Sequence, residues 1–359
     1  MFAYLGERIP DVRKIAVLRA NALGDFIFVL PALEALRATY PQAEIVLLAK
    51  AWHQSFLQNR PGPLNRVIPV PLSTGVNEEP DMQEDQHELA RFFAAMQEEH
   101  FDLALQLHGG GLHSNPFLLQ LGARLNVGLK TPDAVPLDRW IPYVYFQSEI
   151  FRYLEVVSLV GATPVILEPR VAVTAADLEE ASHVVPQQQR PLVALHPGSG
   201  DVQRRWPPEK FAAVGDALAR AGAQIVVTGT ESERQVVEQV VRSMKNPAQN
   251  LCNALSLGGL AGLYSRCRVV ISNDSGPLHL AAAVGASTVG IFWCFNLYTA
   301  GLPTRRRHRP FVSWQVQCPI CGSDRVEGTC EHRPSFVANI PTHKVIDAVF
   351  ELLTMSEQT

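Results

Sequence analysis

The stretch Arg268-Val-Val-Ile-Ser-Asn-Asp-Ser-Gly-Pro-Leu-His-Leu-Ala-Ala-Ala-Val-Gly285 reads as a buried strand running straight into a helix. Val269, Val270 and Ile271 form the short β-branched run of a central parallel strand, and Pro277 suits a first helical turn, where its missing N–H is no loss. The polar turn between them lies at a strand's carboxyl end, where open α/β sheets bind their ligands. N–H groups of Ser275 and Gly276 at the helix start favour an anion, typically a phosphate, and His279 adds a donor from the first turn. Taken alone, Asp274 or Ser275 would be read as a helix cap. A second stretch of the same design changes that reading.

That stretch is His196-Pro-Gly-Ser-Gly-Asp-Val-Gln-Arg-Arg-Trp-Pro-Pro208, which leaves a strand, turns on Gly198 and Gly200, and enters a helix at Pro207 or Pro208. Its small residues let backbone N–H groups approach an anion, and Arg204 or Arg205 supplies a permanent charge. It is not a Walker loop, because the spaced second glycine with Lys-Ser/Thr is absent. A third loop, Thr228-Gly-Thr-Glu-Ser232, offers Glu231 as a helix cap or as an acceptor for ribose hydroxyls. Two phosphate-type loops and one carboxylate at successive strand ends describe a nucleotide diphosphate site better than three coincidental caps.

Outward from these loops, strands alternate with helices through both halves, which means parallel sheets covered on both faces. The first half runs from a strand at Lys14–Ala20 through a helix at Asp25–Tyr40 to a helix at Glu149–Val160. Pro164, Pro169 and Pro186 then punctuate a connection, and the pattern restarts at Leu192. The expected division is 1–165, 166–340 and a final helix within 341–359, with residues 294–341 irregular. Two such α/β domains place their strand ends across a cleft, the default ligand site. In the first half, the turn Arg19-Ala-Asn-Ala-Leu-Gly-Asp25 puts Asp25 at a helix start, either complementing the dipole or acting as a general base. Asn21, Gly24 and His108 are candidate acceptor contacts. His108 opens a Gly109-Gly-Gly111 turn that lacks the third spaced glycine of a dinucleotide fingerprint.

The chain of 359 residues is long enough for two domains, and 31 basic against 35 acidic residues argue against nucleic acid as a partner. No apolar run approaches the roughly 20 residues of a membrane span, and no secretory leader is legible, so a cytoplasmic protein is expected. Cys318-Pro-Ile-Cys321 with Cys330-Glu-His332 has zinc-knuckle spacing, with reduced thiols or one labile disulfide as the alternatives. Arg305, Arg306, Arg307 and Arg309 form a basic run, read either as a solvated loop or as a receiver of anionic headgroups.

Leu23-Gly-Asp25 with Leu30-Pro-Ala-Leu33, His196-Pro-Gly-Ser199 with Arg205-Trp-Pro207, and Asn273-Asp-Ser-Gly-Pro-Leu-His279 together resemble the motifs of glycosyltransferase family 9, the ADP-heptose:lipopolysaccharide heptosyltransferases. The resemblance spans about residues 14 to 353 and implies an α/β GT-B fold of two Rossmann-like domains, the first binding acceptor, the second the nucleotide sugar, with the last helix returning to the first. It implies an inverting, metal-independent transfer of a heptose or similar sugar from a nucleotide-sugar donor to a lipopolysaccharide-type acceptor. The chain would work in the cytoplasm, at the inner face of the plasma membrane. Asp25 would be the base; Ser199 and the basic residue before Trp206 would hold the diphosphate; Glu231 would lie near the ribose; Asp274, Ser275, Gly276 and His279 would line the diphosphate and sugar. No cofactor is implied for catalysis, and the cysteines of this region imply a local structural role, which is compatible with a structural zinc. Where the family carries Lys two places before the Trp, this chain has Arg204, which keeps the charge, adds fork geometry and leaves the donor sugar open. The opposing reading is a nucleotide-sugar-binding protein of other chemistry, such as an epimerase or a binding module, although no complete dinucleotide fingerprint with a catalytic Tyr and Lys is found.

Overall fold

In the computed structural model, which describes residues 6–79, 82–324 and 330–355, the apolar runs become strands and the chain divides into two units, residues 1–169 and 170–359. The first unit holds β1 (Lys14–Leu18), α1 (Leu23–Thr39), β2 (Glu44–Ala49), α2 (Ala51–Leu57), β3 (Arg66–Pro69), α3 (Gln86–Glu98), β4 (Leu103–Gln106), α4 (Ser114–Leu119), β5 (Leu125–Lys130), β6 (Arg139–Pro142) and α5 (Glu149–Ser158). Its strands are all parallel, in the order β3-β2-β1-β4-β5-β6. Four of the five β1 residues and all of β4 are buried, as strands covered on both faces should be.

The second unit holds α6 (Ala175–Val184), β7 (Leu192–His196), α7 (Pro208–Arg220), β8 (Gln224–Gly229), α8 (Arg234–Ser243), β9 (Gln249–Cys252), α9 (Leu257–Arg266), β10 (Val269–Asn273), α10 (Gly276–Ala283), β11 (Ser287–Trp293), α11 (Cys294–Ala300), β12 (His308–Ser313) and α12 (Thr342–Met355). The strand order is β12-β11-β10-β7-β8-β9, again all parallel. Each sheet is doubly wound, reversing direction between its two central strands, β1/β4 and β7/β10. Loops leaving those central strands open side by side at the carboxyl edge.

One expectation is corrected. Residues 294–341 are not wholly irregular: α11 and β12 lie there, and β12 was hidden by Pro310 and its arginines, tolerable because β12 is an edge strand. Val345, Val349 and Leu352 of α12 join the buried core of the second unit, with Trp206, Phe211, Val193 and Val289. Residues 356–359, part of the expected final segment, lie outside the described residues. Among the described residues no helix is long and apolar enough to cross a membrane.

Candidate functional site

In the second unit the loops after β7 and β10 are locked together by Asn273, the wholly buried last residue of β10. Its Oδ1 accepts from the Trp206 N–H at 2.9 Å and its Nδ2 donates to the Pro197 carbonyl at 2.7 Å. Trp206 is itself wholly buried, donates its indole N–H to Ile340 O at 3.2 Å and meets Phe211 edge to face. One side chain therefore fixes both ends of the 197–206 loop against the strand.

Asp274 follows, 3% exposed, its N–H donated to Ile291 O at 2.9 Å. Arg204 Nη1 donates to its Oδ2 at 3.2 Å, His279 Nε2 lies 3.3 Å from its Oδ1, and Ser199 Oγ donates to its carbonyl at 3.4 Å. Ser275 is the N-cap of α10, where the helix carries the positive end of its dipole; Pro277 has no N–H, and the Leu278 N–H donates to the Ser275 carbonyl at 3.1 Å. The five residues Ser199, Arg204, Asp274, Ser275 and His279 are thus brought together around one helix start. The two arginines left as alternatives are separated: Arg205 spends Nε and Nη2 on the Ser199 carbonyl at 2.9 and 2.7 Å, shaping the loop, while the Arg204 side chain remains 28% exposed.

Two carboxylates follow β8. Glu231 turns outward into a two-bond pair with Arg234 at 2.7 and 2.5 Å. Glu233, two residues on and nearly buried, accepts from Thr230 N at 2.9 Å and lies 3.8 Å from His196 Nε2. It also lies so close over Gly198 that a Cβ there would strike its carboxyl group. Burial depresses the His196 pKa, with the Glu233 charge opposing, and the ring is held by Thr228, which also bonds Tyr264. A short 3₁₀ turn over Glu231–Glu233 rotates the helix start, which a residue count along a straight α-helix does not anticipate.

In the first unit, Asp25 sits in the first turn of α1, with Oδ1 accepting from Arg19 Nη2 at 3.0 Å and Oδ2 from the Ala22 N–H at 3.1 Å, its side chain 36% exposed. Arg19 is buried and shared: Nη2 also reaches Glu149 Oε2 at 3.2 Å, Nη1 donates to Leu107 O at 2.8 Å, and the guanidinium lies 4.8 Å from the Tyr153 ring centre. Glu149 is held in turn by Arg152 and the Tyr153 hydroxyl. His108 accepts the Ala20 N–H at Nδ1, 3.2 Å, which leaves its proton on Nε2. Burial, then the Arg19 charge, push its pKa down to about 3, opposed by a hydrogen bond to the Gly75 backbone. The His108 ring thus braces the backbone at Ala20 and Gly75. Asn21, four residues before Asp25, keeps a buried Oδ1 with no partner among the described residues.

Cys318, Cys321, Cys330 and His332 converge, their four ligand atoms all within 4.8 Å of one another. Of the basic run, Arg309 is spent on Glu351 of α12 at 3.2 and 2.6 Å, and Arg307 donates to Gly285 O at 2.6 Å.

The model of glycosyltransferase family 9 (heptosyltransferase) matches residues 89–332, more than half of the chain. The chain belongs to that family. Lipopolysaccharide heptosyltransferase 2 of Salmonella typhimurium is 25% identical over 300 residues, covering 78% of this chain and 82% of the relative. Among solved structures, a family 9 glycosyltransferase from Veillonella parvula superposes with TM-score 0.76 at 21% identity, covering 96% and 97% of the two chains. The ADP-heptose lps heptosyltransferase II of E. coli does so with TM-score 0.76 at 19%, covering 96% and 99%. The fold is GT-B, and the chain is a glycosyltransferase of the heptosyltransferase kind.

Several residues that hold these loops together within each unit were not singled out by sequence. Asn273 stood inside the quoted motif, and a polar residue ending a buried strand was the signal available. Arg19 likewise terminates an apolar strand. Glu149 and Tyr153 meet Arg19 across more than 120 positions of chain, and nothing local announces that.

Proposed function

We propose that this enzyme transfers a heptose, or a closely similar sugar, from ADP-heptose to a lipopolysaccharide core or related glycan, with inversion and without a catalytic metal. The observation that carries the reading is the start of α10, where Arg204, His279 and Ser199 gather on Asp274 beside helix N–H groups. Transfer from a nucleotide sugar develops negative charge on the leaving diphosphate, and a helix start with an arginine is the arrangement that stabilises it. The similarity to a lipopolysaccharide heptosyltransferase and to an ADP-heptose lps heptosyltransferase supports the choice of donor and acceptor class.

In this reading Arg204 swings from Asp274 onto the diphosphate, Ser275 and Gly276 supply N–H groups, and Glu233, rather than Glu231, meets the ribose. Asp25 takes the proton from the acceptor hydroxyl, a contribution of roughly 10²- to 10⁴-fold for a positioned base. Arg19 and the Ala22 N–H aim its carboxylate, and Asn21 offers its unpartnered Oδ1 to an acceptor hydroxyl. The acceptor class places the work in the cytoplasm, at the inner membrane face. The exposed run Val144, Tyr145 and Phe146 on the first unit is suited to peripheral contact there.

The test is Asp25→Asn assayed with ADP-heptose and a heptose-free core acceptor. ADP binding is expected to hold while turnover falls about a hundredfold or more; near-normal turnover removes the base assignment. The anomeric configuration of the product, read by NMR, checks inversion. A thermal shift with GDP, UDP or CDP exceeding that with ADP overturns the donor.

A further inference from the structure

We propose that Cys318, Cys321, Cys330 and His332 hold one structural zinc ion, and that this ion is a clasp that fixes the donor loop at Gln203–Arg205. The ion site stands on its own geometry; its effect on nucleotide affinity rests on the donor site proposed above.

Four ligand atoms of the right kinds lie within 4.8 Å of one another. A tetrahedral zinc with bonds of about 2.3 Å to sulfur and 2.0 Å to nitrogen sets its ligands roughly 3.5 to 3.8 Å apart, so only a small contraction closes the site. Three thiolates and an imidazole form a soft, closed set, which suits zinc and is foreign to magnesium or calcium. The backbone is already folded for it. The Cys318 N–H donates to Ser323 O and the Gly322 N–H to Cys318 O, both at 2.8 Å, and Gly322 takes a left-handed φ of 74° at the tip of the turn. Such a knuckle brings the sulfurs of a Cys-x-x-Cys pair to one side.

The surrounding segment also needs a staple. Among the described residues between Ser313 and Phe336 only Cys318 is buried, and Trp314 and Ile320 are 63% and 62% exposed. A stretch without an apolar core is held by other means, and its converging Cys and His side chains supply the ligand types of a metal staple.

What the staple reaches is the donor loop. The His332 carbonyl accepts from Gln203 Nε2 at 3.4 Å, Ser335 Oγ donates to Arg205 O at 2.6 Å, and the Phe336 N–H donates to Gln203 O at 2.8 Å. Residues 332–336 therefore grip the backbone on both sides of Arg204, and a metal on His332 fixes the first of those contacts.

The experiment uses the untagged full chain purified without chelator. Elemental analysis is expected to give about one zinc per chain, and Cys330→Ser should lose most of it. Stripping the ion with a chelator should weaken ADP binding about tenfold, the loss of roughly one hydrogen-bonded contact, with affinity restored by zinc and not by magnesium. Protein free of zinc, iron as its sole metal, or an intact mass two daltons low from a disulfide overturns the ion site; none of these depends on the variant folding. Zinc present with ADP affinity unchanged on stripping overturns the clasp. Wild type with zinc that fails to bind ADP instead overturns the donor reading and leaves the ion site standing.

Discussion

Asn273→Ala isolates the contact that joins the two central loops of the second unit. The side chain is wholly buried and makes two hydrogen bonds, to the Trp206 N–H at 2.9 Å and the Pro197 carbonyl at 2.7 Å. Alanine removes both hydrogen bonds and leaves a donor and an acceptor buried, each costing about 1 to 3 kcal/mol, so a loss of roughly 2 to 6 kcal/mol in the second unit is expected. Asn273→Asp keeps the acceptor for Trp206 but faces a carboxylate to the Pro197 carbonyl, so it should release the loop's first end while holding its second. Urea unfolding read by Trp fluorescence measures stability, and calorimetric titration with ADP measures whether Ser199 and Arg204 still meet at α10. ADP affinity should fall about tenfold or more in the alanine variant, a further ~1.4 kcal/mol. If alanine costs less than about 0.5 kcal/mol, the range of an ordinary surface change, and ADP binds as before, the claim that one side chain assembles this site is wrong.

Arg204→Ala should weaken ADP binding about tenfold or more with little loss of stability, whereas Arg205→Ala, which removes two bonds to the Ser199 carbonyl, should cost roughly 1 to 3 kcal/mol of stability; the reverse pattern would exchange their roles. Acid should destabilise the first unit early. Burial holds His53 and His108 at about 3, below their ordinary 6.5, so the unfolded chain binds more protons below pH 6.5. Stability is therefore full above that pH and declines as pH falls toward 3, by roughly 4 kcal/mol for the pair between pH 7 and 5. Chemical unfolding at those two pH values that shows no change refutes this, and His108→Gln should reduce the slope.

Much of this protein was legible along the chain because parallel sheets write themselves locally. A run such as Val269 to Ile271 followed by Asn273-Asp-Ser-Gly-Pro277 states strand, turn and helix start within nine residues, and no distant partner is needed to read it. The fold class and the places of the strand-to-helix turns followed from such stretches, and the Cys/His spacing pointed to the place where the four ligand atoms meet. The edge strand β12 did not follow, because exposure at a sheet edge is settled by neighbours distant in sequence. The same is true of the site's fine assignments. Whether Glu231 or Glu233 turns inward depends on a 3₁₀ turn, and which arginine stays available depends on where the Ser199 carbonyl lies. Side chains that act through long-range hydrogen bonds, Arg19 to Glu149 above all, acquire their roles only when folding brings the strand ends and helix starts together.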